Sequence, residues 1–397
     1  MTEKLALEGG TPVRGEVLPY GRQWIDDDDV EAVVQVLRSH WLTTGPVVGQ
    51  FEEALARFTG AGHAVAVSSG TAALHAAMHA LRIGPGDEVV VPTLTFAASS
   101  NCVLYQGGTP VFADVDPRTL LLDAAELERR ITPRTRAVVA VDYAGQPCDY
   151  AALTEVARRH GLAVVADASH SLGGMRDGRA VGTLADATTF SFHPVKHVTS
   201  GEGGAIAVSD PALAERLRLF RSHGITSDAR QREMAGSFFY EMVDLGYNYR
   251  LTDLQSALGV SQLRRLPAWV ERRREIAARY DQAFAALPAV RPLAVEPGAH
   301  HAYHLYVVRL DLARLRVDRA AVFAALRAEG IGVNVHYIPV HLHPYYRERL
   351  GTRPGQFPAA EAAYEEILSL PMFPRMSDAD VDDVVEATVR VTAAYAA

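Results

Sequence analysis

The sequence predicts an α/β protein: a mainly parallel sheet in a large N-terminal part, followed by a smaller α+β domain. Three observations carry this. Short apolar segments alternate with helical stretches from His63 to Phe192, the texture changes near Leu266, and Lys196 closes one apolar run. That lysine lies in Ser191-Phe192-His193-Pro194-Val195-Lys196, ahead of Gly201-Glu202-Gly203-Gly204. Strands apolar on both faces and joined by helices belong in a sheet covered on both sides. Ligands of such sheets lie beyond the carboxyl ends of the strands.

In chain order, residues 1–25 read as an N-terminal arm. Asp26 to Arg38 reads as a helix with acids at its start, and Pro46 to Phe58 leads into a second. Strands are expected at His63 to Val67, Glu88 to Val91, Pro110 to Ala113, Ala137 to Val141, Leu162 to Ala166 and Ala187 to Phe192. Helices such as Thr71 to Leu81 and Tyr150 to His160 separate them. Poor periodicity between Ser222 and Tyr249 predicts a long loop near the site. The large domain is therefore set at 26–265 and the small one at 266–397. The small one opens with a charged helix, Ala268 to Leu287, and a Pro/Gly-rich connection through Gly298. Strand Tyr303 to Leu310 and helix Asp318 to Glu329 follow, and Ser377 with Asp380 forms a capping box for a last helix running to about Tyr395.

Composition narrows the function. A net charge of -8 over 397 residues argues against nucleic-acid binding, which needs a basic surface. Two cysteines, Cys102 and Cys148, make no disulfide framework, and no Cys/His spacing suggests a metal site. No apolar run has the length to span a bilayer, and Met1 to Gly15 reads as neither a signal nor a transit peptide. A cytoplasmic protein is expected.

Five segments carry candidate chemistry. Ser68-Ser69-Gly70-Thr71 runs from strand to helix, where free N–H groups and the helix dipole attract phosphate, although Ser-Gly-Thr is equally an ordinary N-cap sequence. Thr95-Phe96 follows the second strand and offers either an aromatic face to a ligand or a core ring. Asp167 ends the fifth strand, where a carboxylate with little solvent needs a cationic partner, and His170 follows three residues on; a helix cap and a satisfied polar residue are the alternatives. Lys196, if desolvated, loses its proton more readily than a lysine in water, and the neutral amine attacks aldehydes. Asn248 and Arg250 precede a helix and offer amide and guanidinium donors to phosphate, or else mark a loop-to-helix transition capped by Thr252. A phosphate cradle, an aromatic face, a strand-end aspartate and a lysine on successive strands provide a group for each part of pyridoxal phosphate.

With these motifs, from Gly9-Gly10-Thr11-Pro12 to Leu370-Pro371-Met372-Phe373-Pro374, the chain resembles the fold-type I sugar aminotransferases of the DegT/DnrJ/EryC1/StrS family. The resemblance implies that Lys196 is the Schiff-base lysine and that Ser191, Gly70 and Thr71 contact the cofactor phosphate. It implies that Asp167 pairs with the pyridine nitrogen, that Phe96 stacks on the ring, and that His170 stands where many members have glutamine beside the phenolic oxygen. It also implies a homodimer with shared sites, Asn248 reaching the phosphate across the interface.

Leu18 to Gln23, Trp41 to Pro46, Ser191-Phe192-His193 and Asn334 to His341 are similar to one subgroup, the transaminases of pseudaminic acid biosynthesis. These aminate C4 of a UDP-linked 4-keto-6-deoxy-N-acetylhexosamine. Tyr20, Arg250, His341 and His343 are then candidates for the substrate, the last three for its diphosphate. The expected activity is transfer of an amino group from glutamate to a nucleotide-linked keto sugar. Amination of a dTDP-linked 3- or 4-keto sugar, a sugar dehydratase of the same fold and a catalytically idle regulator are the alternatives, and Lys196 with Asp167 favours transamination.

Overall fold

The computed structural model describes residues 4–397, so Met1 to Glu3 of the expected arm lie outside the described residues. Seven strands form the central sheet: β1 (His63–Val67), β2 (Glu88–Pro92), β3 (Thr109–Ala113), β4 (Thr135–Val141), β5 (Ala163–Asp167), β6 (Ala187–Ser191) and β7 (Gly204–Val208). Their order is β1-β7-β6-β5-β4-β2-β3. The pairs β6/β5, β5/β4, β4/β2 and β2/β3 are parallel. β7 runs antiparallel to both of its neighbours. The sheet is thus mainly parallel, and its strands are buried because helices cover both faces.

Local signals set the elements. Asp26 caps helix Asp27–Leu37 in a reciprocal capping box with Asp29. Ser69 caps helix Gly70–Ala80 by accepting from the Ala72 N–H at 3.0 Å, and Ser377 with Asp380 does the same for helix Asp378–Ala394. Gly204, the last residue of the glycine-rich stretch after Lys196, opens β7, which pairs with β1 and β6.

Residue 266 falls inside one continuous helix, Asp253–Phe284, which starts well before the expected Ala268 and carries Pro267 in its interior. Leu263, Leu266 and Val270 of this helix pack into the core of the central sheet. Ile276, Ala277, Tyr280 and Phe284 pack into a second core with a small sheet, β8 (Val290–Pro292), β9 (Tyr306–Leu310) and β10 (Ile367–Leu370), in the order β8-β9-β10. Leu5 and Leu18 of the arm join this second core, and Leu18 forms a bridge with Ile331. The expected loop between Ser222 and Tyr249 contains a short helix, Ala229–Met234. No helix among the described residues is long and apolar enough to cross a membrane, and no group of His, Cys, Asp and Glu among them is placed to hold a metal.

Candidate active site

A cavity of about 430 Å³ opens at the carboxyl ends of the strands. Tyr20, Gly70, Thr71, Phe96, Asp167, His170, Ser191 and Lys196 all line it. Topology explains this: Ser69 to Thr71 follow β1, Phe96 follows β2, Asp167 ends β5, Ser191 ends β6, and Lys196 lies in the turn beyond.

At one end is an anion cradle. Gly70 opens its helix, where the first N–H groups have no intrahelical acceptor. A Cβ on Gly70 would lie 2.8 Å from the Ser191 Cβ and 3.2 Å from its Oγ, so only glycine leaves this space open. The cap and cradle readings of Ser69 to Thr71 are compatible, because Ser69 satisfies Ala72 and the two N–H groups before it remain at the mouth.

At the other end is Asp167, 6% exposed. Ser99 Oγ donates to Oδ2 at 2.6 Å, and Ser169 donates to Oδ1 from its hydroxyl at 2.7 Å and its N–H at 3.3 Å. Ser99 in turn accepts from Thr95 Oγ1 at 2.8 Å, which ties the carboxylate to the turn carrying Phe96. Phe96 itself is 59% exposed, an apolar ring presented to the cavity.

Lys196 is held by the bond from its N–H to the His193 carbonyl at 2.9 Å. Burial brings its ammonium down from 10.5 to about 8, against the smaller opposing attraction of Asp167. Its Nζ lies 3.4 Å from His304 Nε2. Burial first, and Lys196 second, keep His170 neutral well below the usual histidine range. His170 Nε2 lies 3.0 Å from the Tyr337 hydroxyl, and its Nδ1 is buried without a partner among the described residues.

Four expected residues do not line this cavity. Asn248 is exposed. Arg250 lines a second cavity of about 420 Å³ with Arg218, Arg221 and Arg230. His343 stands at the start of helix Pro344–Leu350, its side chain making no capping hydrogen bond. His341 is a correction: fully buried, it contacts Thr93 Oγ1 through Nδ1 at 2.6 Å and Glu361 through Nε2 at 3.1 Å, so both ring nitrogens are spent and no face is left for a diphosphate. Ser99, Ser169, His304, His336 and Tyr337 belong to the neighbourhood and were not singled out. Tyr337 and His336 lie inside the quoted Asn334 to His341 motif, and Ser99 is one helical turn beyond Thr95; His304 carries no sequence signal.

The residues fit pyridoxal phosphate. The cradle that a Cβ at Gly70 would fill suits a phosphate, Asp167 suits a pyridinium nitrogen, and the unpartnered His170 Nδ1 offers a polar contact.

The comparisons agree. The model of the DegT/DnrJ/EryC1/StrS aminotransferase family matches residues 23–389. The chain is 45% identical over 376 residues to the spore coat polysaccharide biosynthesis protein SpsC of Bacillus subtilis, covering 94% of this chain and 97% of that one. It is similar to the PLP form of Spr1654 from Streptococcus pneumoniae, with TM-score 0.88, 33% identity and coverage of 95% and 99%. It is similar also to PseC of Helicobacter pylori, an aminotransferase involved in the biosynthesis of pseudoaminic acid, with TM-score 0.89, 32% identity and coverage of 96% and 100%. The chain belongs to the DegT/DnrJ/EryC1/StrS aminotransferase family: it is a pyridoxal-phosphate-dependent sugar aminotransferase of fold type I.

Proposed function

We propose that this enzyme moves an amino group from glutamate to C4 of a UDP-linked 4-keto-6-deoxy-N-acetylhexosamine. The reading is carried by the convergence of Lys196, Asp167 and the Gly70/Thr71/Ser191 cradle on one cavity. Bound there, pyridoxal phosphate would supply an aldehyde for the amine and an electron-accepting ring.

The chain's own residues do the rest. At pH 7 an amine with a pKa of about 8 is roughly one-tenth neutral, against well under one part in a thousand at the ordinary 10.5. Lys196 would thus be able to attack an aldehyde and, as a free amine, to take and return the proton at the donor's Cα. Asp167, oriented by Ser99 and Ser169, would keep the ring nitrogen protonated. Gly70, Thr71 and Ser191 would hold the phosphate, Phe96 would cover the ring, and His170 would meet the phenolic oxygen. Amination of the sugar uses the same groups in reverse, so kinetics are ping-pong.

The acceptor is supported by the two segments that resemble the pseudaminic acid subgroup and border the cavity, through Tyr20 and through His336 and Tyr337. PseC, similar over nearly the whole chain, bears on the same product class. The active unit is a cytoplasmic homodimer. This is supported by the exposed apolar ribbon of Met234, Phe238, Phe239, Met242 and Leu245, which precedes an Asn248 that lies outside its own chain's cavity.

The test is product mass spectrometry after incubation with glutamate and a panel of nucleotide keto sugars. The UDP-linked 4-keto sugar should have its ketone replaced by an amine. Efficient amination of a dTDP-linked 3-keto sugar, with the UDP sugar inert, would refute the substrate and leave the aminotransferase.

A further inference from the structure

We propose that His304 is a positioning partner of Lys196: its Nε2 accepts a hydrogen bond from the free Lys196 ammonium and holds the amine in the cavity. Their separation is 3.4 Å, at the long end for such a bond.

The backbone that presents His304 is fixed from several sides. Ala302 N–H donates to the Gly145 carbonyl at 2.9 Å and Leu305 N–H to the Ala144 carbonyl at 3.1 Å. Arg273 Nη1 donates to the His304 carbonyl at 3.2 Å. Gly145 adopts φ 112°, and a Cβ there would come within 2.9 Å of His304 N, so the loop after β4 must be glycine for the two segments to meet.

The ring packs against those of His170 and His197, with centroids 4.4 and 5.6 Å away, but its nitrogens hold no other part of the fold. Neighbouring histidines spend ring nitrogens on the fold: His197 Nε2 on the Ala302 carbonyl at 2.8 Å, His336 Nδ1 on Ser369 Oγ at 2.8 Å, and His341 on Thr93 and Glu361. His304 Nδ1 is buried with no partner among the described residues. An ammonium has only donors, so while Lys196 is charged, Nε2 must offer its lone pair and the ring proton must sit on Nδ1. A buried, unmatched N–H is costly, and the lysine contact is what this cost secures.

The surroundings keep His304 an uncharged acceptor. Asp167, His170, His197, His336 and Arg273 face the pair. Burial and the nearby Lys196 hold His304 and His170 neutral, burial and Arg273 do so for His197, and burial brings His336 down to about 4. Arg273 is engaged with the carbonyls of Tyr303, His304 and Met372. A neutral acceptor directs the ammonium without trapping it in an ion pair, which suits an amine that must leave and return.

The proposal rests on Lys196 being the reactive amine, and its test does not need turnover. The full chain, stripped of cofactor, is labelled with limiting methyl acetimidate across pH, and modification of Lys196 is followed by peptide mass spectrometry. The wild-type midpoint is expected near 8. In His304→Leu, which keeps the site dry but removes the acceptor, it should fall by about one unit. His304→Gln, which restores an acceptor oxygen, should recover at least half of that shift. A midpoint in the leucine variant that stays or rises, or a glutamine variant that behaves like leucine, overturns the proposal. Should the leucine variant not fold, ¹⁵N-histidine spectra decide: the Nε2 resonance of His304 should be that of an unprotonated acceptor and should move in Lys196→Met, and an unmoved resonance refutes the contact. An active Lys196→Ala enzyme would instead remove the premise, a failure distinguishable from that of His304.

Discussion

Lys196→Met should abolish turnover and, in the cofactor-free protein, raise stability at neutral pH. Burial lowers the ammonium from 10.5 to about 8, with Asp167 giving back a smaller part. At 1.36 kcal/mol per pH unit, that fall corresponds to about 3 kcal/mol, the amount by which folding disfavours the charged amine. The sign follows from proton binding. Below about 8 both folded and unfolded chains hold the proton, so the penalty is complete. Between about 8 and 10.5 the unfolded chain binds more protons than the folded one, and wild-type stability rises with pH; above 10.5 the amine is neutral in both states and the penalty is gone. Methionine, similar in length and uncharged, carries no such penalty at any pH. The variant should therefore exceed wild type by about 3 kcal/mol at pH 7, and the margin should shrink steadily above pH 8. Urea denaturation at fixed protein concentration, followed by tryptophan fluorescence from pH 7 to 10, measures the margin. Equal stability at pH 7, or a margin that does not shrink by pH 10, would refute the claim that burial sets the reactivity of this amine.

The other substitutions address the two ends of the cavity and the assembly. Asp167→Asn should retain cofactor yet slow the half-reaction with glutamate by on the order of a hundredfold, because a neutral amide cannot hold a ring proton, and stopped-flow spectroscopy showing a wild-type rate would contradict the assignment. Gly70→Ala puts a methyl 2.8 Å from the Ser191 Cβ and should weaken cofactor retention about tenfold, read as absorbance kept after dialysis; unchanged retention would move the phosphate elsewhere. Mixing inactive Lys196→Ala with an inactive Asn248→Ala should restore part of the activity, since a heterodimer would hold one site with both defects and one with neither. No recovery despite demonstrated subunit exchange would count against shared sites.

The parts of the fold governed by local rules were legible in the sequence. β1 and helix Tyr150–His160 fall where the pattern puts them, because apolar runs and an Asp149 cap act locally. β7 was hidden because Gly203-Gly204 reads as a turn, while its strand character comes from pairing with β1 and β6. The long helix was divided because the run becomes more charged near Leu266, yet the hydrophobic faces of both halves find cores to pack on. The cavity residues that follow strands of one sheet were readable because topology places strand ends together. His304 was not, since its position depends on contacts between segments far apart in sequence. His341, a candidate for the diphosphate, misled for the same reason: Thr93, far from it in sequence, and Glu361 enclose it.

The charges of the cavity bear on how a nucleotide sugar can be held. Lys196 is the sole lysine or arginine among its lining residues, and that amine is committed to chemistry. Burial removes charge from His170, His304 and His336, so these rings favour a neutral sugar and add no attraction for phosphate. The helix end at Gly70 offers one anion cradle, which the cofactor phosphate would take in the proposed reading. A diphosphate must then find its cations elsewhere. Arg218, Arg221, Arg230 and Arg250 gather at the second cavity, beside the segment that carries the exposed apolar ribbon. Glu52 engages Arg221, which leaves the cluster with a net positive balance even with Asp228 included. A site assembled from two copies, one giving the lysine and sheet edge and the other the arginines and Asn248, would supply the diphosphate with donors while keeping the neighbourhood of Lys196 free of further cations that would drive its pKa lower still.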